Sequence, residues 1–346
     1  MAAVTRKIIA CCRAAQKAAD WLESRQQASS KVDPENGVGS GYKTTAAFVA
    51  AGRLHAAWKL MDYIGAHYVV EPGEFQSSGG SGARVAGGSF YRNCWILMSA
   101  IRLGRFDIAS PAAIEHTLRY QHRSGGFCGS LKRAARQRIN PLFTAMGGWF
   151  CLYTGRHDRA VRAGDFLLRL IASQAEMPER FYFHIDARSG ACITEYPPGT
   201  AIMHYADRQR AVQHFFFSGA MMGYLADLHQ ATGEKKYLQG ARAMCDFESG
   251  MNPRSFAWIS KCKVGWGAAL LYAVTGEAVH RKMAEKVADV TFVKAQSPKG
   301  HWSAALIPTN DDGSGFTLPS VELTGEFAFE LCEVAKALTT TTKVKK

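Results

Sequence analysis

Residues 204–214, HYADRQRAVQH, carry the densest group of titratable side chains in the sequence: His204, Tyr205, Asp207, Arg208, Arg210 and His214. His184, Asp186 and Glu195 lie upstream. General acid–base chemistry needs such a mixture, with proton affinities pushed apart by burial and neighbouring charge. The block predicts catalytic roles for His204, Tyr205, Asp207 and Arg208; the plainer reading is a salt-bridged surface tether. A second candidate pair, Glu322 and Glu326, stands four residues apart and so shares one helix face. An acid in a first helical turn is stabilising by itself, which accounts for Glu322. Glu326 sits deeper in an apolar run and is the better candidate for a base, or for an ion-pair partner of Lys43 or Lys263.

Three helix starts carry positive charge: Tyr42-Lys43, Tyr91-Arg92-Asn93 and Lys261-Cys262-Lys263. Asn140-Pro141 and Gln213-His214 open two others. A cation at a helix N-terminus opposes the helix dipole and costs up to about 1 kcal/mol. Repeating that cost predicts an anionic or carbonyl-bearing ligand nearby, with Lys43 as a catalytic donor. Tyr42, Tyr91, Arg92, His214 and Lys263 would bind the ligand, with Phe216, Trp266 and Trp302 as aromatic lining. His204 and His214 do not share a helix face, and the nine cysteines lack zinc-ligand spacing, so neither a metal nor a cofactor is expected.

The elements that must position these groups follow from an internal repeat. Gly52-Arg53, Gly104-Arg105, Gly155-Arg156, Gly233-Glu234 and Gly276-Glu277 each end one helical run and start another. Glycine suits the left-handed residue after a helix, and so short a turn makes the two helices antiparallel. The first helix of each pair is apolar nearly all round, as in TAMGGWFCLY (144–153), and should be buried on both sides. The second is amphipathic, as in RAVRAGDFLLRLIASQ. About twelve helices are expected, and the first (5–26) should pair with the last (321–338) to close a ring. The fold predicted is all-α, an (α/α)6 toroid of about six helical hairpins in a single domain over 1–340, with a disordered basic tail at 341–346. The longer connections gather at the inner helices' N-terminal end. Among them, RFYFHID–ARSG–ACITEY reads as a small β-hairpin lid.

Hydrophobic residues make up 47% and charged residues 21%, enough for a large core. No apolar run reaches the roughly 18 residues of a membrane span. The opening MAAVTRKIIACC lacks the apolar segment and cleavage site of a secretory signal. With scattered cysteines, this predicts a reduced, cytoplasmic protein; the acid-free stretch before Asp20 leaves organelle targeting as the other reading. The net charge of +13 is not gathered into a basic arm apart from KRAARQR at 132–138, so no nucleic-acid partner is expected. The partner expected is a small molecule.

Two loops carry a recognisable motif. Gln121 precedes Gly125-Gly126-Phe127, Gln296 precedes Gly300-His301-Trp302, and Gln174 before Phe181 is a degenerate third copy. These resemble the repeat of the terpenoid-cyclase and protein-prenyltransferase α/α-toroid superfamily. The resemblance implies the ring architecture. The catalytic signatures of that superfamily do not carry over: no Asp-x-Asp-Asp, no Asp-x-Cys zinc set and no aspartate-rich diphosphate motif is present. The expectation is a cofactor-independent cyclase or isomerase of specialised metabolism, including a Diels–Alder-type pericyclic closure, acting on an apolar substrate with a carbonyl or carboxylate. Sugar epimerases and glucuronyl hydrolases resemble the same ring, so a sugar epimerase or glycoside hydrolase is the second expectation. A non-enzymatic helical scaffold is the third.

Overall fold

The structure, a computed structural model, describes residues 2–26, 41–76, 89–132 and 138–340. The expected tail at 341–346 and most of the KRAARQR run lie outside the described residues.

The described helices alternate between an outer and an inner layer. The outer ones are α1 (Ala2–Arg25), α3 (Leu54–His67), α5 (Pro111–Leu118), α7 (His157–Ala172), α9 (Lys235–Ser249) and α11 (Ala278–Val287). The inner ones are α2 (Thr44–Ala50), α4 (Phe90–Leu103), α6 (Pro141–Tyr153), α8 (Phe216–Thr232), α10 (Cys262–Thr275) and α12 (Ser320–Thr340). Each inner helix packs on its outer partner, and α12 packs on α1. The inner helices touch in the order α2, α4, α6, α8, α10, α12 and back to α2, so the ring closes. No described helix is long and apolar enough to cross a membrane.

Local sequence explains the hairpins. All five repeat glycines have φ between 69° and 76°, a conformation that side-chain-bearing residues avoid. Small residues then let inner helices approach closely. At Gly219 of α8, an added Cβ would lie 2.3 Å from the Lys263 carbonyl carbon and the Val264 nitrogen of α10. The tight contact fixes the height at which Lys263 enters the barrel.

The glutamine motif is a cross-hairpin staple. Gln121 Nε2 donates to Gly125 O and to Arg159 O of α7, both at 2.9 Å. Gln296 Nε2 donates to Gly300 O and to Ala14 O of α1, both at 2.8 Å. Each staple satisfies a turn carbonyl and a carbonyl of the next outer helix with one amide. The aromatic after the turn is then held by its own backbone: Phe127 N donates to Thr144 Oγ1 and Trp302 N to Thr324 Oγ1. Gln174 does a related job, donating to Tyr182 O and accepting from Tyr182 N.

The cap over the N-terminal mouth is broader than one hairpin. β1 (Val69–Glu71) pairs β2 (Glu74–Phe75), β3 (Arg138–Ile139) pairs β5 (Ile185–Asp186), and β4 (Arg180–Tyr182) pairs β6 (Tyr205–Asp207). The expected hairpin over RFYFHID–ARSG–ACITEY survives only as a turn at 186–190 with an Ile185–Cys192 bridge. Residues 180–182 pair instead with 205–207 over three residues, and Ile185, besides its Cys192 bridge, pairs with Ile139. A full hairpin joins β7 (Ala305–Pro308) and β8 (Gly315–Leu318), in the connection between α11 and α12.

Candidate active site

A cavity of about 310 Å³ lies between the inner helices' N-terminal ends and the β-cap. Its walls are mainly apolar: Leu142, Phe143, Phe216, Phe217, Leu323 and Phe327 from the helices, and Ile307, Phe316 and Leu318 from the β7–β8 hairpin. Its polar or ionisable lining residues are Tyr42, Lys43, Tyr91, Asn140, His184, His214, Ser260, Cys262, Lys263, Thr317, Glu322 and Glu326.

The charged members form one buried network. Lys43 Nζ donates to Glu322 Oε1 at 3.0 Å and to Glu326 Oε2 at 2.6 Å. Tyr42 OH donates to Glu322 Oε1 at 2.7 Å. Lys263 contacts Glu326 Oε1 and lies 3.3 Å from Glu330 Oε1. Burial would lower the Lys43 ammonium, but Tyr42 and Glu322 beside it hold it well above its ordinary range. Lys263 is likewise held high, burial being outweighed by Tyr91 and Glu330. Burial, with Glu322 adding to it, pushes the Tyr42 hydroxyl up. Lys43 spends two of its three N–H groups on carboxylates, which leaves one for a ligand.

The helix-start lysines were expected to attract an anion. In the structure their charge is already met by Glu322, Glu326 and Glu330 of α12, so the floor offers no spare positive charge.

Two histidines stand apart from this network on the cavity lining. His214 Nε2 lies 2.8 Å from Pro308 O. A carbonyl only accepts, so Nε2 carries the proton and Nδ1 is a bare lone pair. Nδ1 is buried and has no hydrogen-bond partner among the described residues. Burial pushes the imidazole down to about 4, against the Pro308 carbonyl. His184 Nδ1 is also buried and unpartnered, and burial, with His204 and Arg138, pushes that ring down to about 3.

Of the residues singled out in the sequence, Tyr42, Lys43, Tyr91, His184, His214, Phe216, Lys263, Glu322 and Glu326 line the cavity. The 204–214 block is otherwise not brought there. Tyr205 lies between the Arg180 and Arg210 guanidiniums, Asp207 accepts from Arg180 Nε at 3.1 Å, and Arg208 Nε donates to Gly250 O at 2.9 Å. His204 stacks on Tyr196. These contacts tie the β4–β6 ribbon to its neighbours, which is the tether arrangement. Arg92 turns away to donate to Phe75 O. Trp302 packs against Phe327, its indole N–H on Phe292 O. Trp266 stacks on Trp149 around a smaller, 60 Å³ space toward the other end of the barrel.

Phe143 and the β7–β8 side chains escaped the sequence reading, and Asn140 and Cys262 entered it only as helix-start residues. The alternation in ALIP and GFTL around Asn310–Ser314 was the available signal for that hairpin. Cys262, Glu326 and Glu330 bring one sulfur and two oxygens within 4.8 Å, the one such group among the described residues. Lys263 contacts both glutamates there, and an ammonium in that place opposes a metal cation.

No protein-family model matches the chain, and no curated protein sequence matches it. Solved structures do. A D-mannose isomerase aligns with a TM-score of 0.62 at 10% identity, covering 93% of this chain and 96% of that one. An α-1,6-mannanase variant of Salegentibacter sp. HEL1_6, in complex with α-1,6-mannotriose, gives 0.60 at 13% identity, covering 94% and 99%. The type II terpene cyclase MstE from Scytonema gives 0.59 at 14% identity, covering 95% and 99%. The chain thus has the α/α-toroid architecture that its glutamine motif suggested. Identities this low establish the fold alone.

Proposed function

We propose that this protein is an enzyme that moves a proton on a largely apolar small molecule bearing a neutral carbonyl, and so isomerises or cyclises it. The observation that carries this reading is His214. His214 is a lining residue of an apolar cavity, its proton is fixed on Nε2 by Pro308, and its bare Nδ1 is buried with no hydrogen-bond partner among the described residues. A neutral imidazole in that state is a base in waiting. Nδ1 takes a proton from the carbon next to the carbonyl, the C–H pair becomes a carbon–carbon double bond, and the carbonyl π pair moves onto its oxygen. Lys43 lines the same cavity, and its remaining N–H would stabilise that oxygen. Return of the proton to another carbon gives the isomer. Attack of the enolate carbon on a conjugated alkene carbon of the same molecule gives a ring, the displaced π pair taking the proton back from His214 at carbon, with the apolar walls selecting the folded conformer. A carboxylate substrate is disfavoured because both lysines are already neutralised.

Glycoside hydrolysis stands behind this reading. It needs one unengaged acid and one unengaged base across the sugar, and both glutamates lining the cavity are held by lysine. A cavity of about 310 Å³ also disfavours a purely structural scaffold.

The test is solvent-isotope screening. The protein is incubated with a panel of apolar ketones and aldehydes, and with metabolite extracts, in D2O, and products are read by mass spectrometry. We expect one solvent deuterium in the product or recovered substrate, and none with a His214→Phe variant that still melts cooperatively. Ring formation without deuterium would reassign the site to concerted closure, and undiminished labelling by His214→Phe would remove His214 from the mechanism.

A further inference from the structure

Glu330 is the one acid of the network that the proposed chemistry leaves unused. Glu322, Glu326 and Glu330 are spaced four apart on α12, so all three face the same way. Two ammonium groups meet them: Lys43 from α2 and Lys263 from α10. The other titratable neighbours are Cys262 of α10, the phenols of Tyr42 and Tyr91 and, at the Glu322 end, the Arg92 guanidinium, which donates to Phe75 O and has Glu74 as its foremost carboxylate neighbour. Glu330 is the deepest member, with no exposed surface. Its Oε1 lies 3.3 Å from Lys263 Nζ, and its Oε2 is buried with no hydrogen-bond partner among the described residues. Three carboxylates against two ammoniums leave one negative charge without a counterion. In an apolar interior an unpaired charge is the costliest arrangement available, and a group that can neutralise does so.

We propose that Glu330 supplies the missing positive charge as a proton: it is a neutral carboxylic acid that keeps the cavity floor uncharged and leaves Lys263 engaged with Glu326. The choice among the three acids follows from geometry. Glu322 has Lys43 and Tyr42, and Glu326 has both lysines, whereas Glu330 shares one lysine at the longest of these distances and keeps an oxygen with no partner. Burial raises its proton affinity, opposed by Lys263 and Cys262. Ionisation of Glu330 would draw Lys263 away from Glu326 and expose a carboxylate to the ligand. Glu330 is thus a positioning residue acting through Lys263. Its effect on a ligand rests on the proton-transfer reading above; the proton itself does not, and is measured without substrate.

Wild-type protein with 13C at the glutamate side-chain carboxyl carbons is titrated by NMR. We expect one glutamate signal to stay at the protonated shift at pH 7, and that signal to vanish in Glu330→Gln. Infrared difference spectra in D2O, wild type minus variant, should show the matching protonated-acid carbonyl stretch. The amide is a neutral isostere, so Glu330→Gln should match the wild-type melting temperature at a pH below the ordinary glutamate range and exceed it at pH 7. It should also lose one pH effect. A carboxyl whose proton affinity is raised by folding makes the native state less stable as pH climbs above the ordinary glutamate range, and the variant should lack that decline. All glutamates ionised at pH 7, a variant with an unchanged decline, or a stoichiometric divalent metal in the purified protein would each overturn the proposal.

Discussion

Replacing Lys43 by methionine keeps most of the aliphatic stem and removes the charge. Lys43 is 3% exposed, and its ammonium is shared between Glu322 at 3.0 Å and Glu326 at 2.6 Å. After the change, Glu326 still has Lys263, whereas Glu322 keeps the Tyr42 hydroxyl alone of its partners described above. The loss is therefore that of one broken buried pair rather than the sum of two contacts. Leaving one partner buried and uncompensated costs about 3–5 kcal/mol. Spread over the unfolding entropy of a 346-residue chain, that is a fall in melting temperature of about 4–7 °C. The double variant Lys43→Met/Glu322→Gln restores the charge count, and the amide still accepts from Tyr42. It should recover most of the loss, so calorimetry and urea unfolding of the four-member cycle should give strong coupling. A single-variant cost under about 1 kcal/mol would mean that the pair is solvated like a surface bridge, and the reasoning about an apolar floor would fail. Additive losses in the double variant would deny that Glu322 is the partner left stranded.

Two pH effects of opposite sign should accompany this. His214 is held neutral to about 4 in the folded protein, while the unfolded imidazole protonates near 6.5. Its stabilisation is complete above about 6.5 and is lost as pH falls toward 4, by up to about 3 kcal/mol. Urea melts of His214→Phe across that range should show a flatter acid limb; an unchanged limb would deny the burial. Asp227, which accepts from Trp149 Nε1 at 2.7 Å, is raised by burial to about 6. Stability should therefore decline as pH rises from about 4 to about 6, by up to about 3 kcal/mol, and Asp227→Asn should abolish that decline. Gln121→Ala and Gln296→Ala should each cost about 2 kcal/mol in chemical denaturation, because each removes two hydrogen bonds to carbonyls of two different hairpins. Markedly unequal costs would deny that the two staples are equivalent.

The sequence by itself determined the ring. A glycine at each turn fixes a left-handed backbone, the contrast between all-apolar and amphipathic helices fixes which layer each joins, and Gln121 and Gln296 mark where successive hairpins are stapled. These are local properties, legible within a few turns of chain. The lysines at the starts of α2 and α10 were also visible, and so was Glu326. Their meaning was not, because a charge reads as a ligand anchor until its partner is known. Only the closed circle brings Lys43 to Glu322, 279 residues away along the chain, and so turns an apparent anion site into a neutral floor. The same holds for the histidines. His204 and His214 are ten apart in one dense block, yet His214 reaches the cavity lining while His204 stacks on Tyr196 outside it. What decides between them is the path of the β-cap strands, whose partners come from distant segments, and short strands carry too little local preference to announce such pairings.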